Sequence, residues 1–478
     1  MACEKGGDDG KQMRNCFAAC GGRTDPFPML SNASIGTRGS DDSVEDLDEG
    51  KEQWDWWLHV LEEYRFRATV GAGADEEDHD LRLFMAGGGS DPDGFFGISG
   101  SLGLWWDANG VSDTGTASTL NSMRDDRDPW PWVEVYDLAA EFHDLSALSL
   151  LKIGRQVSLH GLPVTFDGVS MEISALKPWL GFFAMGGRTV HFFETDSGIF
   201  EDWIASIGAV VRPMRGLRLE LDYRFQREQI LAPDKVSRNE LMDHTYGLSL
   251  WYRHGERLYL NAYFRGLNDS VSHAGTALHF DWTDKGVGLD LGFDAQLITL
   301  RQANEGTDPY FALLGERLPY VRWRMDLWKV FTTKAGEYGI HAGWNGNQLV
   351  EGDTGPFNRN MGRFYLTFTA NDIGVKGPFL NVSAEGYYSD WTFAGDWFWT
   401  AGGSVGYASG KVGAEVGTYF QQYKYVYYRD VREISDVRTV FGQVAYRPLK
   451  WLKLKVRYEF QRYDRDEHAL IVTVSQVF

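Results

Sequence analysis

Few residues in this sequence are able to do chemistry, and none completes a catalytic set. Gly402-Gly403-Ser404-Val405-Gly406 matches G-x-S-x-G. That motif serves a hydrolase only where the serine tops a strand-to-helix elbow. Here it falls in a strand-like stretch, so Ser404 is expected to be a small wall residue. Neither a P-loop nor H-E-x-x-H occurs. The 3 cysteines, Cys3, Cys16 and Cys20, lie near the N-terminus, and no C-x-x-C-H is present for covalent haem attachment. Cys16 and Cys20 read as an incidental pair or a disulfide closing a small loop, with a redox or metal role as the alternative. Cys3 reads equally as a lipoprotein-cleavage remnant or an incidental thiol. The 11 histidines are scattered, and His143, His160, His191 and His254 fall near strand ends, where an interfacial imidazole is ordinary. The expectation is a protein that is not an enzyme and carries no cofactor and no metal.

The elements around these residues say more. The formal net charge is -20 and the pI about 5.0, which argues against a nucleic-acid partner, because phosphate binding needs a basic face. No apolar run is long enough for a transmembrane helix. The opening residues Met1 to Gly10 are polar and acidic and do not read as a secretory signal, so a barrel reading expects a mature or trimmed chain. Residues 1–50 are rich in Gly, Asp and Ser, and are expected to be a flexible acidic tail or plug.

From residue 51 to 478 the texture is uniform, with segments that alternate apolar and polar between Gly, Pro, Asn and Asp clusters. Leu217, Leu219, Leu221, Tyr223 and Phe225 share one face, against Arg218, Glu220, Asp222, Arg224 and Gln226. Leu452, Leu454, Val456, Tyr458 and Phe460 repeat the pattern against Lys453, Lys455, Arg457, Glu459 and Gln461. Period two means strand. Three features separate a membrane barrel from a soluble sandwich. The segments are longer than the roughly 5–6 residues of a globular strand. Aromatics end the apolar stripes, as at a membrane boundary. Charges of both signs sit in mid-strand on the other face, as in a wet lumen. The fold class is therefore all-β, a large antiparallel transmembrane β-barrel of about 18 to 22 strands, preceded by the polar N-terminal segment.

Arg212-Pro213-Met214-Arg215-Gly216 and Arg447-Pro448-Leu449-Lys450-Trp451 open near-identical hairpins, suiting an up-and-down meander. Asp107–Pro131, Leu231–Asp243 and Ala303–Pro319 read as long loops, and the turns at residues 144–149, 212–216, 254–257 and 447–451 as short ones. Short turns belong in the periplasm and long loops outside, which would place both chain ends in the periplasm. By parity the lumen-facing candidates are Glu63, Arg65, Arg67, Arg218, Glu220, Asp222, Arg224, Arg253, Arg265, Arg322, Arg324, Asp326, Lys453, Lys455, Arg457 and Glu459, with Glu385 and Glu415 beside them. They either select a polar solute or pair across strands to stiffen the wall. The acidic runs Asp75-Glu76-Glu77-Asp78-His79-Asp80 and Asp91-Pro92-Asp93-Gly94 lack EF-hand spacing and read as solvated loops. Bridging by divalent ions to lipopolysaccharide is their alternative.

Leu470, Val472, Val474, Gln476 and Phe478, at every second position, resemble the C-terminal insertion signature of bacterial outer-membrane barrels, with Gln476 as the departure. The resemblance implies recognition by the barrel-assembly machinery, with outer-membrane lipid and lipopolysaccharide as surroundings. Gly154-Arg155-Gln156, Phe166-Asp167-Gly168 and Gly186-Gly187-Arg188 resemble a strand pair of porin-like and alginate-export-like barrels, and of barrels that sheath multihaem cytochromes in porin–cytochrome conduits. These resemblances imply an outer-membrane channel or export pore for polar solutes or an anionic polymer. The alternative is a structural barrel around a periplasmic multihaem cytochrome.

Overall fold

The computed structural model describes residues 54–70, 76–108, 131–161, 163–177, 179–190, 202–231, 238–297, 318–350, 360–389, 397–427, 431–462 and 466–478. The segment 1–50 with its three cysteines, and His191, lie outside them. The first half of the barrel comprises β1 (Asp55–Val70), β2 (Glu76–Ser90), β3 (Phe96–Asp107), β4 (Trp132–Leu145), β5 (Leu148–Val157), β6 (Thr165–Lys177), β7 (Leu180–Thr189), β8 (Trp203–Met214), β9 (Leu217–Leu231), β10 (Arg238–His254) and β11 (Leu258–Leu267). The second comprises β12 (Ser270–Trp282), β13 (Val287–Gln296), β14 (Tyr320–Thr333), β15 (Gly336–Leu349), β16 (Met361–Asn371), β17 (Pro378–Ser389), β18 (Trp397–Ala408), β19 (Val412–Tyr427), β20 (Val431–Leu449), β21 (Leu452–Arg462) and β22 (Asp466–Val477).

Each strand pairs antiparallel with its neighbours in the chain, and β22 pairs back onto β1, from Asp466 opposite Val70 to Val477 opposite His59. The backbones of Leu58 and Phe478 extend that seam with reciprocal bonds of 3.1 and 2.8 Å. The 22-stranded sheet is thus closed. Closure leaves no edge, the condition for irregularity-free backbone to survive in hydrocarbon.

The alternation decides what the wall separates. Leu221 is 53 % exposed, whereas its neighbour Glu220 is 2 % exposed. The same contrast runs around the barrel. Leu138, Ile207, Leu248, Leu327, Val382, Val416 and Val444 are exposed, while Asp78, Glu141, Asp222, Arg224, Arg265 and Asp326 are buried. The polar side is the inside and the apolar side the outside. A continuous apolar exterior of this extent has no stable place in water. Exposed Trp56, Trp179, Trp282, Tyr407, Trp451 and Phe478 mark one end of the strands, and Trp106, Trp203, Tyr388 and Trp397 the other, as two aromatic girdles. The chain is a membrane-spanning barrel of the bacterial outer-membrane type.

Connections after even-numbered strands are short, as at 146–147, 215–216, 334–335 and 450–451, whereas 108–131 and 297–319 follow odd-numbered strands. The short edge, which also carries the start of β1 and the end of β22, is taken as periplasmic. Both Pro-containing hairpins lie there, and each carries the same ladder irregularity, between Val211 and Met214 and between Tyr446 and Leu449.

Two loop expectations are corrected, and a third segment is placed on the short edge. Leu231 to Asp243 is mostly strand, with only 232–237 between β9 and β10. Glu76 to Asp80 belong to β2, where Arg67 meets Asp78, so this run is wall and not solvated loop. Asp91 to Gly94 form the β2–β3 turn on the short edge, away from any outer-leaflet glycolipid; Asp91 there accepts from the Phe96 amide at 3.0 Å. Ser404 sits within β18, where its hydroxyl lies 3.4 Å from the Asn381 amide nitrogen. It tops no strand-to-helix elbow.

Placing a charge on the outer face should be costly. Leu221→Arg is expected to destabilise the barrel in vesicles by about 2–4 kcal/mol. Equilibrium urea unfolding followed by tryptophan fluorescence measures this.

Candidate functional site: the polar inner wall

Strand parity carries the candidate residues to the inner face in blocks. On β1 and β2, Arg65 contacts Glu63 at 3.2 Å, Arg67 donates to Asp78 at 2.8 Å, and Arg82 lies 3.6 Å from Glu63 and 3.9 Å from Asp80. On β21, the Arg457 guanidinium donates to Glu459 at 2.8 and 3.0 Å and covers the Phe441 ring at 4.1 Å; Tyr419 and Gln461 also donate to Glu459. Lys453 and Lys455 share that face on the same strand. Arg322 donates to the Tyr320 hydroxyl at 3.0 Å, and Arg324 pairs with Asp326 on β14. Arg363 clasps Glu385 at 2.7 and 3.0 Å, and Glu415 accepts from Gln443 at 2.5 Å. Arg253 stands apart, exposed at the periplasmic end of β10, where it donates to the Gly255 carbonyl at 3.0 Å. The insertion-signature residues Leu470, Val472 and Val474 lie opposite Phe66, Tyr64 and Glu62 on the outer face of the closing seam, with Phe478 stacked on Trp451 at 5.2 Å.

A recurring device stiffens this wall. Three times among the described residues a long donor reaches over a glycine on the neighbouring strand to an aspartate on the strand beyond. Arg265 on β11 crosses Gly247 to donate to Asp222 at 2.7 Å, and also to Ser249 at 2.9 Å. Tyr263 crosses Gly275 to donate to Asp294 at 2.6 Å. Tyr365 crosses Gly343 to Asp326. A Cβ on any of the three glycines would overlap the crossing side chain. Glycine costs strand entropy, and here its missing side chain is the space through which a charge-assisted bond passes.

The connection between β5 and β6 adds the most elaborate contact. Its described residues, 158–161, 163 and 164, reach across the inner wall as far as β9. His160 presents Nδ1 to Glu220 at 2.9 Å and Nε2 to Glu172 at 2.8 Å, and its ring stacks on Phe183 with centroids 3.8 Å apart. Gly161 donates its amide to Glu220 at 3.1 Å, and Arg224 donates to the His160 carbonyl at 3.3 Å. Arg218 caps Glu220 at 2.8 Å. Val164 packs on an inward apolar cluster of Phe166, Met185 and Ile204. With a carboxylate at each ring nitrogen, both nitrogens must donate, which only the imidazolium can do. Burial of His160 in this connection works against the charge, but the bonds from Glu172 and Glu220 outweigh it and raise its pKa above the ordinary value.

The Gly154, Gly168 and Gly187 motif positions fall in one register across β5, β6 and β7. A Cβ at any of the three would meet the backbone of the adjoining strand, and beside them the buried Gln156 amide donates to the Gly168 carbonyl at 3.1 Å and accepts from Ser170 at 2.6 Å. Arg155 and Asp167 of the same motif pair on the outer face at 2.7 Å. This motif is therefore architectural.

Sequence reasoning missed His160, Glu172 and Asp294. His160 reads as an ordinary strand-end histidine because its partners come from β6 and β9; the Gly161 turn after it, at φ +71°, was the available signal. Among the described residues no group of His, Cys, Asp and Glu is arranged to hold a metal ion.

No protein-family model matches the sequence, and no curated protein matches it. Solved structures match it in fold. The translocation pore of the P pilus usher PapC superposes with a TM-score of 0.51 at 8% identity, covering 88% of this chain and 99% of that one. Pseudomonas aeruginosa OccK9 (OpdG) gives 0.44 at 14% identity over 89% and 99%, and Acinetobacter baumannii OccAB4 gives 0.43 at 12% over 89% and 98%. At these identities the likeness is one of architecture: the protein has the fold of a large outer-membrane β-barrel.

Two outcomes are expected. Because the His160 pKa is raised, its ion pairs are fully present below the ordinary histidine value and are lost only as pH rises through the raised one. Ring-¹⁵N NMR, with His160 assigned by its disappearance in His160→Gln, should show the imidazolium persisting to higher pH than in an ordinary histidine. Gly247→Val should expel Arg265 from Asp222 and lower unfolding stability by about 3 kcal/mol, measured by urea titration.

Proposed function

We propose that the protein is a passive outer-membrane channel for small polar solutes, with a preference for anions. One observation carries this reading. In the ion pairs of the inner wall among the described residues the cation is, with two exceptions, the more exposed member. Arg324 is 44% exposed and Asp326 1%; Arg218 is 38% exposed and Glu220 2%. Arg67 with Asp78, Arg82 with Asp80, Lys152 with Glu141 and Arg457 with Glu459 follow the same order; Arg363 with Glu385 and His160 with Glu172 reverse it. The acidic side chains are packed against the wall, and the basic ones stand over them toward the lumen. A solute inside such a bore meets a positive surface although the chain as a whole is acidic.

The test is planar-bilayer recording across a potassium chloride gradient. The expected result is an ohmic conductance whose reversal potential has the sign of anion preference. Arg324→Glu together with Arg218→Glu is expected to move that potential toward cation preference. A barrel that does not conduct, or an unchanged potential, contradicts the reading. Purification from the native membrane discriminates the sheath: a stoichiometric haem protein retained by the barrel would replace the channel reading.

A further inference from the structure

The outer face carries one arrangement that the channel reading does not use. At the step where β21 ends, Arg438 of β20 stands directly opposite Arg462 of β21. Both are exposed. Their parity is that of exposed Val440, Val444, Val456 and Tyr458, so they belong to the lipid-facing side. Directly opposed like charges repel across a strand pair. Among the described residues neither forms an ion pair. Arg438 has only the Phe420 ring, at 6.0 Å.

Among the described residues, Asp466 and Asp436 do not quench the pair. Asp466 of β22 is opposite Arg462 in the ladder without an ion pair to it. Asp436, one step farther out on β20, accepts from the Gln422 amide at 3.4 Å. On the membrane side of the arginines the surface turns apolar. Phe460 packs against His468 at 5.1 Å, and Tyr458 hydrogen-bonds the His468 imidazole at 2.7 Å. Trp399 packs on Phe420 at 4.7 Å. Two guanidiniums therefore sit at the outer rim of an aromatic belt, with an aliphatic wall continuing toward the membrane interior. An amphiphile with a phosphate at its head and acyl chains below it satisfies both halves. The phosphate offers acceptors to both guanidiniums and cancels their repulsion, while the chains lie on Val440, Val444 and Val456.

We propose that Arg438 and Arg462 form a docking site for the phosphorylated glycolipid of the outer leaflet. The assignment depends on the odd-to-even connections being external, and is independent of what crosses the lumen.

The experiment uses the full chain in detergent with EDTA present, titrated with diphosphorylated lipid A, with lipid A stripped of its phosphates, and with inorganic phosphate, each followed by native mass spectrometry. Wild type is expected to retain the phosphorylated lipid, and Arg438→Gln/Arg462→Gln to bind it about thirtyfold more weakly. Arg257→Gln, a change at an exposed periplasmic turn pair, is the control and should bind as wild type. Heat-modifiable gel mobility verifies folding, and each single variant should show an intermediate loss if the double variant fails to fold. Equal binding of the stripped lipid, unchanged binding by the variants, displacement of the lipid by millimolar inorganic phosphate, or no wild-type binding in the presence of EDTA would each overturn the proposal.

Discussion

The structure depends on one constraint: in hydrocarbon, every backbone donor and acceptor must be satisfied within the protein. A sheet meets it only by closing, and here closure is the pairing of β22 with β1. Once the sheet is closed, side-chain alternation has only two destinations. The apolar set meets lipid and the polar set is confined within. The usual arrangement of a globular protein is reversed, and the inward face must then solve a packing problem with polar residues.

It does so by combining glycine with charge. The crossings by Arg265, Tyr263 and Tyr365 each need an empty position between donor and aspartate, and the ladder supplies Gly247, Gly275 and Gly343 in register. Each aspartate is drawn against the wall by bonds it could not make to its immediate neighbours. Arg265, the one cation among the three donors, is itself buried in the wall. The connection at residues 158–164 extends the scheme by using a doubly bonded imidazolium as the cation between Glu172 and Glu220.

How much of this was legible depended on glycine. β9 and β21 were plain in the sequence because every second residue is a long apolar or charged side chain. β15 was not, because Gly336, Gly339, Gly343 and Gly346 interrupt its alternation; Gly343 and Gly346 yield their space to Tyr365 and Trp323 of the adjoining strands. β3 and β13 were obscured in the same way, and β2 by an acidic start that resembles a loop and a Gly87-Gly88-Gly89 finish. A residue whose space is taken by a neighbour carries no period of its own. The parity of the charged positions was readable; their pairing was not where it runs two strands sideways, as from Arg265 to Asp222. His160 was the extreme case, with partners 12 and 60 residues away in sequence.

The central claim is that one side of this wall is lipid and the other water. Nitroxide labels introduced singly at consecutive positions from Leu217 to Arg227 in reconstituted vesicles test it most directly, through collisional accessibility to oxygen and to a polar nickel complex. The account predicts strict alternation, with odd-numbered positions favouring oxygen and even-numbered ones the nickel complex. Uniform nickel accessibility along the strand, or alternation of the opposite phase, would contradict it.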